Sequence, residues 1–241
     1  MILSQLSRLL GKCQNIVAQS FPHYCLLCDS ASHTHLDLCP VCRGMLSENR
    51  QACTVCGRPL ATDTRVVCGA CLRDPPPFSA TFACFRYCLP ADYFVRELKF
   101  GGNTVYARLL GELMADEIRA RGVVLPQALV PVPLGRARLL SRGFNQSAEI
   151  AAVCSAALKG PPLDLTLVRR VRETVPQSQL SQRERHRNIR NAFRVEARAG
   201  AYAHLALVDD VMTTGSTVRE ISRALKRAGV QRVDIWVAAR A

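Results

Sequence analysis

Apolar positions change their spacing along this chain, and the changes divide it. In the C-terminal two thirds, short apolar runs alternate with stretches in which apolar residues recur every three or four positions. Phe82-Ala-Cys-Phe-Arg-Tyr87 predicts a strand. Thr104 to Ala120 predicts a helix with Leu109, Leu110, Leu113, Met114 and Ile118 on one face. Ala128 to Val132 reads as a short strand, and Asn145 to Leu158 as a helix carrying Ile150, Val153, Cys154 and Ala157 at helical spacing. Leu205 to Val208 is a buried strand. The helix after it puts Val218, Ile221, Leu225 and Ala228 on one stripe and stops at Gly229, with Thr217 and Glu220 placed to form a capping box at its start. Val233 to Ala238 is the next strand. Strand and helix alternating at this spacing predict an α/β fold, a parallel sheet covered by helices on both faces. The first twelve residues form an amphipathic pattern, so 1–20 is expected to be an N-terminal helix.

Between Tyr24 and Leu72 this periodicity disappears and cysteines take over. Eight of the twelve cysteines form four C-x-x-C pairs: Cys25/Cys28, Cys39/Cys42, Cys53/Cys56 and Cys68/Cys71. Two such turns separated by a short loop can set four thiolates around one tetrahedral metal, and the arrangement occurs twice in succession. Thiolates are soft ligands and favour Zn²⁺. A segment with so few large apolar residues needs a metal to hold it. A closed four-cysteine site leaves no open coordination position, so two structural zinc ions are expected. Spacing alone leaves open whether consecutive pairs share a metal or the pairs interleave. Cys84, Cys88 and Cys154 are expected to be small core residues. Asp74-Pro-Pro-Pro77 marks a boundary, which gives a double zinc-ribbon module at 21–74 and an α/β domain at 78–241.

Charge adds a partner class to this picture. The chain has 241 residues and a formal net charge of +13, most of the excess lying beyond residue 75. From Val168 to Arg198 there are nine Arg against three Glu, the densest basic stretch of the chain. Its functional reading is phosphate recognition, since Arg grips phosphate oxygens with a planar, two-pronged donor set. No apolar run approaches the roughly 20 residues a membrane helix needs, and the N-terminus lacks the pattern of a secretory signal. A cytoplasmic protein without a transmembrane segment is expected.

The segment Val208-Asp-Asp-Val-Met-Thr-Thr-Gly-Ser-Thr217 carries the most specific chemistry. The strand before it ends at the carboxyl edge of the sheet, where open α/β folds bind ligands. Thr213, Thr214, Gly215, Ser216 and Thr217 form a turn of small residues whose backbone N–H groups can wrap a phosphate at a helix N-terminus. Carboxylates would repel that phosphate, so Asp209 and Asp210 suit the two hydroxyls of a ribose. Neither G-x-G-x-x-G nor G-x-x-x-x-G-K-[ST] occurs, which argues against dinucleotide and P-loop sites.

The run from Leu207 to Thr217 resembles the motif with which type I phosphoribosyltransferases bind phosphoribosyl pyrophosphate (PRPP). Over nearly its whole length the chain also resembles the ComF/GntX proteins of bacterial DNA uptake and utilisation. The shared features are the zinc-ribbon cysteines, Leu98-Lys-Phe100, Pro131-Val-Pro-Leu134, Arg142-Gly-Phe-Asn-Gln146, the stretch from Arg172 through Thr174, Gln177, Leu180 and Arg185 to Asn188, the PRPP motif, and Ala239-Arg240. The resemblance implies the type I phosphoribosyltransferase fold behind the ribbons. It implies a site made of Val208, Asp209, Asp210, Met212 and Thr213 to Thr217, with the pyrophosphate and its Mg²⁺ on the loop at Pro133, Leu134, Gly135 and Arg136. The basic stretch corresponds by position to a loop that closes over PRPP, with Arg172 as a clamp. Arg136, Arg138, Arg142 and Arg185 are expected to track a nucleic-acid backbone. Aromatic residues near that stretch are few, Phe144 and Phe193, so stacking of bases is weakly indicated. The implied function is PRPP binding coupled to the handling of imported single-stranded DNA, with proteins of the uptake machinery as further partners. The alternatives are transfer of the phosphoribosyl group to a small acceptor, or PRPP sensing without turnover.

Overall fold

The computed structural model describes residues 23–61, 66–172 and 189–241. The expected N-terminal helix and Arg185 lie outside the described residues. The chain divides into two compact units, 1–45 and 46–241.

In the first unit, the backbone turns back on itself between Tyr24 and Ala31, which form an isolated antiparallel bridge. Helix α1 (Pro40–Gly44) starts at Cys39, whose sulfur accepts the N–H of Cys42 at 3.4 Å. A C-x-x-C turn of this kind winds the backbone tightly enough to aim both thiols at one point.

The second unit is built on four parallel strands in the order β1 (Ala80–Arg86), β6 (Arg232–Arg240), β5 (His204–Met212), β2 (Ala128–Pro131). Successive strand residues point to opposite faces, and the faces have different partners. Leu205 and Leu207 of β5 join Val233, Ile235 and Val237 of β6 in one buried cluster with Val218, Ile221 and Leu225 of helix α7 (Ser216–Arg227). On the other side helices α4 (Val105–Ala120) and α6 (Gln146–Leu158) pack against each other, α4 also against β1 and β6, and α6 against β2 and β5. Each helix lays its apolar stripe on the sheet, which is why the periodic segments of the sequence fold where expected. Helix α3 (Ala91–Phe100) packs on α4 and was not predicted, and α5 (Arg136–Arg142) has no buried residue to betray it.

Two further departures have local causes. The flanks of the basic stretch, β3 (Val168–Arg170) and β4 (Phe193–Val195), pair antiparallel in a second small sheet, so part of the expected loop is strand. The capping box at Thr217 does not form. Gly215 is the N-cap, in the left-handed conformation (φ 74°), and the helix begins at Ser216. Glu220 accepts instead the backbone N–H of Asn191 at 2.9 Å and anchors the β4 side to α7.

The second ribbon is packed into this unit. Helix α2 (Gly69–Arg73) carries Cys71, and Cys53, Cys56 and Cys71 belong to the same apolar cluster as the sheet. Asn49 N–H donates to Cys84 O at 2.9 Å, Arg86 N–H to Ser47 O at 2.8 Å, and the Thr81 hydroxyl to Val55 O at 2.7 Å. Cys84 and Cys154 are buried as expected, whereas Cys88 is exposed. Among the described residues no helix is long and apolar enough to cross a membrane.

Ile221 is fully buried between α7 and the sheet. Ile221→Ala should therefore cost roughly 2–5 kcal/mol, seen in chemical denaturation as a lower midpoint with an unchanged slope.

Candidate functional site

The eight C-x-x-C cysteines gather as two groups of four, Cys25/Cys28/Cys39/Cys42 and Cys53/Cys56/Cys68/Cys71, with the four sulfurs of each within 4.8 Å of one another. Consecutive pairs therefore meet, and interleaving is excluded. The Cys28–Cys39 and Cys56–Cys68 sulfur separations are 3.8 and 3.7 Å, the edge of a tetrahedron whose centre lies about 2.3 Å from each sulfur, the zinc–thiolate distance. The donor sets thus fit Zn²⁺. Without metal the thiols of one group diverge: the Ser30 hydroxyl holds Cys28 down at about 6, while burial pushes Cys42 up. A bound cation removes that divergence by favouring the thiolate at every position.

The second site is a cleft of about 560 Å³ at the carboxyl end of β5, within the range of small-molecule pockets. Its floor is Asp209 and Asp210. Strand β5 runs on through both acids to Met212, because Val211 and Met212 stay in register with Ala239 and Arg240 of β6. One wall is the loop from Thr213 to Thr217. Gly215 sits there with positive φ, the conformation that favours glycine, and a Cβ in its place would lie 2.5 Å from the flexible end of Met212, which would have to move aside. The Thr214 and Ser216 hydroxyls are 2.8 Å apart. Gly215 brings no side chain to cap α7, and the Thr214 hydroxyl accepts the Ser216 N–H at 3.4 Å, so the helix starts beside the cleft, where its dipole favours an anion.

The two acids have different surroundings. Asp210 is buried and pairs with Lys99, the Nζ lying 2.8 Å from its Oδ2. Burial works against the Lys99 ammonium, but Asp210 outweighs it and raises the lysine above its ordinary value. Asp209 accepts the Ser147 hydroxyl of α6 at 2.7 Å. Burial, and then the charge of Asp210, push the Asp209 carboxyl up to about 7 against the opposing pull of Lys99. Asp210 is thus held in an ion pair, while its neighbour Asp209 is raised towards neutrality.

Sequence comparison places the chain. Residues 16–72 match the family model "Double zinc ribbon domain". Over 220 residues the chain is 37% identical to the DNA utilization protein YhgH of Salmonella typhimurium, an alignment covering 89% of this chain and 96% of that protein. The chain belongs to the ComF/GntX family. Competence protein F of Haemophilus influenzae is 34% identical over 228 residues, covering 92% of this chain and 98% of the relative. Competence protein ComFC of Bacillus subtilis is 26% identical over 227 residues, with 85% and 89% covered. A solved glutamine PRPP amidotransferase of B. subtilis, complexed with ADP and GMP, is similar at 22% identity over 54% of this chain and 25% of that one, with a TM-score of 0.36.

The residues singled out from the sequence of this ComF/GntX protein gather unequally. Asp209, Asp210, Met212, Thr213, Thr214, Gly215, Ser216 and Thr217 all line the cleft, as do Pro133 and Leu134 and two of the arginines, Arg138 and Arg142. Val208 lies beneath it, fully buried in β5. Gly135 caps α5, and Arg136 is exposed beyond it, outside the lining. Arg172 also lies outside and donates to Arg190 O at 2.7 Å. Arg170, on β3, reaches the cleft instead. Sequence reasoning did not assign Lys99, Phe100, Gln146, Ser147 or Arg170 to the site. The available signal was the family pattern itself, since Leu98-Lys-Phe100 and Gln146 belong to it.

Two outcomes follow for the purified protein. Metal analysis should find two zinc ions per chain, and Cys53→Ser should lower the thermal transition of the 46–241 unit, which Cys25→Ser should leave in place. The Asp209 carboxyl, raised from the ordinary aspartate range to about 7, favours the folded state fully only below the unfolded value near 4. That contribution is lost as pH rises from about 4 through 7. Asp209→Asn should therefore melt higher than the wild type at pH 8 without ligand, and the difference should vanish near pH 4; a constant offset across the range would contradict the raised carboxyl.

Proposed function

We propose that the cleft binds PRPP, and that the protein couples this binding to the handling of imported single-stranded DNA in the cytoplasm. The observation that carries the reading is the meeting of an acid pair and a helix N-terminus behind a turn of small residues in one cleft, supplied by the ten residues from Val208 to Thr217. The 5′-phosphate would take the N–H groups and hydroxyls of Thr213 to Thr217, and the ribose hydroxyls would donate to Asp209 and Asp210. Pyrophosphate would lie towards Pro133 and Leu134, with Arg138, Arg142 and Arg170 facing its charge. Mg²⁺ would arrive with the pyrophosphate, and the carboxylate oxygens of the floor are hard donors of the kind it prefers.

The names of the relatives, competence protein F and DNA utilization protein, support a place in DNA uptake. The basic groups around the cleft suit contacts with a strand's phosphates that are independent of its sequence.

Calorimetry with PRPP and Mg²⁺ tests the reading. Wild-type protein should bind, and Asp209→Asn combined with Asp210→Asn should abolish binding while leaving the circular dichroism spectrum unchanged. Single-strand binding should weaken steeply with salt, and Arg138→Ala with Arg142→Ala should flatten that dependence. A wild-type protein that ignores PRPP would overturn the cleft assignment. Release of pyrophosphate on adding small acceptors would identify a transferase in place of a binding protein.

A further inference from the structure

An exposed aromatic ring stands at the mouth of the cleft. Phe100 is the last residue of α3 and is 80% exposed, yet it lines the same cavity as Asp209 and the phosphate loop. The preceding residues fix its position. Leu98 is fully buried, and Lys99 is held by Asp210. The Arg142 guanidinium lies over the ring, its Cζ 5.9 Å from the centroid, and is itself held by Gln146 Oε1 at 2.6 Å. Arg138 and Arg170 line the same cavity.

We infer that Phe100, backed by Arg142, is a stacking platform for one nucleobase whose phosphates or sugar lie along the cationic side of the cleft. A ring so exposed makes little apolar contact with its own fold. A partner protein's apolar surface would have to desolvate the guanidinium that covers the ring, whereas a nucleobase stacks on both a phenyl ring and a guanidinium plane. The phosphates attached to a base complement Arg138 and Arg170, which a neutral aromatic ligand would not use. The base comes either from a single strand threaded past the cleft or from a free nucleoside seated beside the phosphoribosyl group. The inference rests on the PRPP reading only for the identity of the neighbouring ligand.

The test uses the full zinc-loaded chain with Phe100→Ala and Phe100→Trp, probed with a short oligothymidylate, an abasic strand of the same length, thymidine, and PRPP with Mg²⁺. Loss of one stacked base should weaken oligothymidylate binding of Phe100→Ala roughly 5- to 150-fold at fixed salt. Phe100→Trp should restore it, and its indole fluorescence should be quenched on binding. The abasic strand should bind the wild type and Phe100→Ala alike. Quenching by thymidine only in the presence of PRPP identifies a free nucleoside as the source; quenching by the strand alone identifies DNA. Equal oligothymidylate affinity in wild type and Phe100→Ala, or an equal loss for the abasic strand, overturns the platform. A wild type that shows the Phe100 dependence but no PRPP binding sinks the PRPP reading and supports the platform.

Discussion

Arg240 is a cation in the wrong place by ordinary rules, and it ties the second ribbon to the end of β5. Its side chain is buried at 4% exposure, donating from Nε to Cys56 O at 3.0 Å and from Nη1 to Met212 O at 2.9 Å. Burial lowers its pKa, and an unbalanced buried charge is among the costlier defects a protein can hold. The balance lies next door. Four thiolates around a divalent zinc carry two net negative charges, and Cys56 belongs to that set. A zinc bound there would fix the thiolates in place, and their negative charge would offset Arg240, which also donates to the Ala241 oxygen. Through Met212, the same guanidinium grips the end of β5, and Met212 packs where a Gly215 side chain would otherwise stand. Metal knuckle, last strand and phosphate loop form one continuous polar and packed connection.

That connection explains which parts of the molecule could be read in the sequence. Elements that bury one face against the sheet announced themselves by period, as α4, α6, α7 and the central strands did. Their ends were less legible because hydrogen-bond register sets them: β5 continues past its apolar run to Met212 since β6 offers partners up to Arg240. Helix α5 buries nothing, so no stripe marked it. The capping box at Thr217 failed because Glu220 is committed to the Asn191 backbone, 29 residues away in sequence.

The site shows the same division. The loop from Thr213 to Thr217 was legible because a contiguous run of small residues, of the kind proposed here to receive a phosphate, shows itself in the sequence alone. The partners of the acids were not, because they are brought in by the fold: Ser147 reaches Asp209 from α6, and Lys99 reaches Asp210 from α3. The arginines show how little spacing reveals in a basic stretch. Arg170 lies on β3 and reaches the cleft, while Arg172, two residues further, is drawn to the Arg190 carbonyl.

Charge along the cleft lining decides what kind of ligand it suits. Lys99, Arg138, Arg142 and Arg170 face two aspartates; Asp210 is matched by Lys99, and burial raises the Asp209 carboxyl to about 7. Two carboxylates side by side would otherwise turn a polyanion away. Pairing one and raising the other lowers the negative charge of the floor beneath Arg138, Arg142 and Arg170, which would reduce the repulsion the proposed phosphate-bearing ligand meets while leaving oxygen acceptors for its hydroxyl groups. A ligand that was only anionic would leave the acids without donors, and one that was only a sugar would leave the arginines and the helix N-terminus without an anion. The proposed ligand, a phosphorylated ribose, would be both at once.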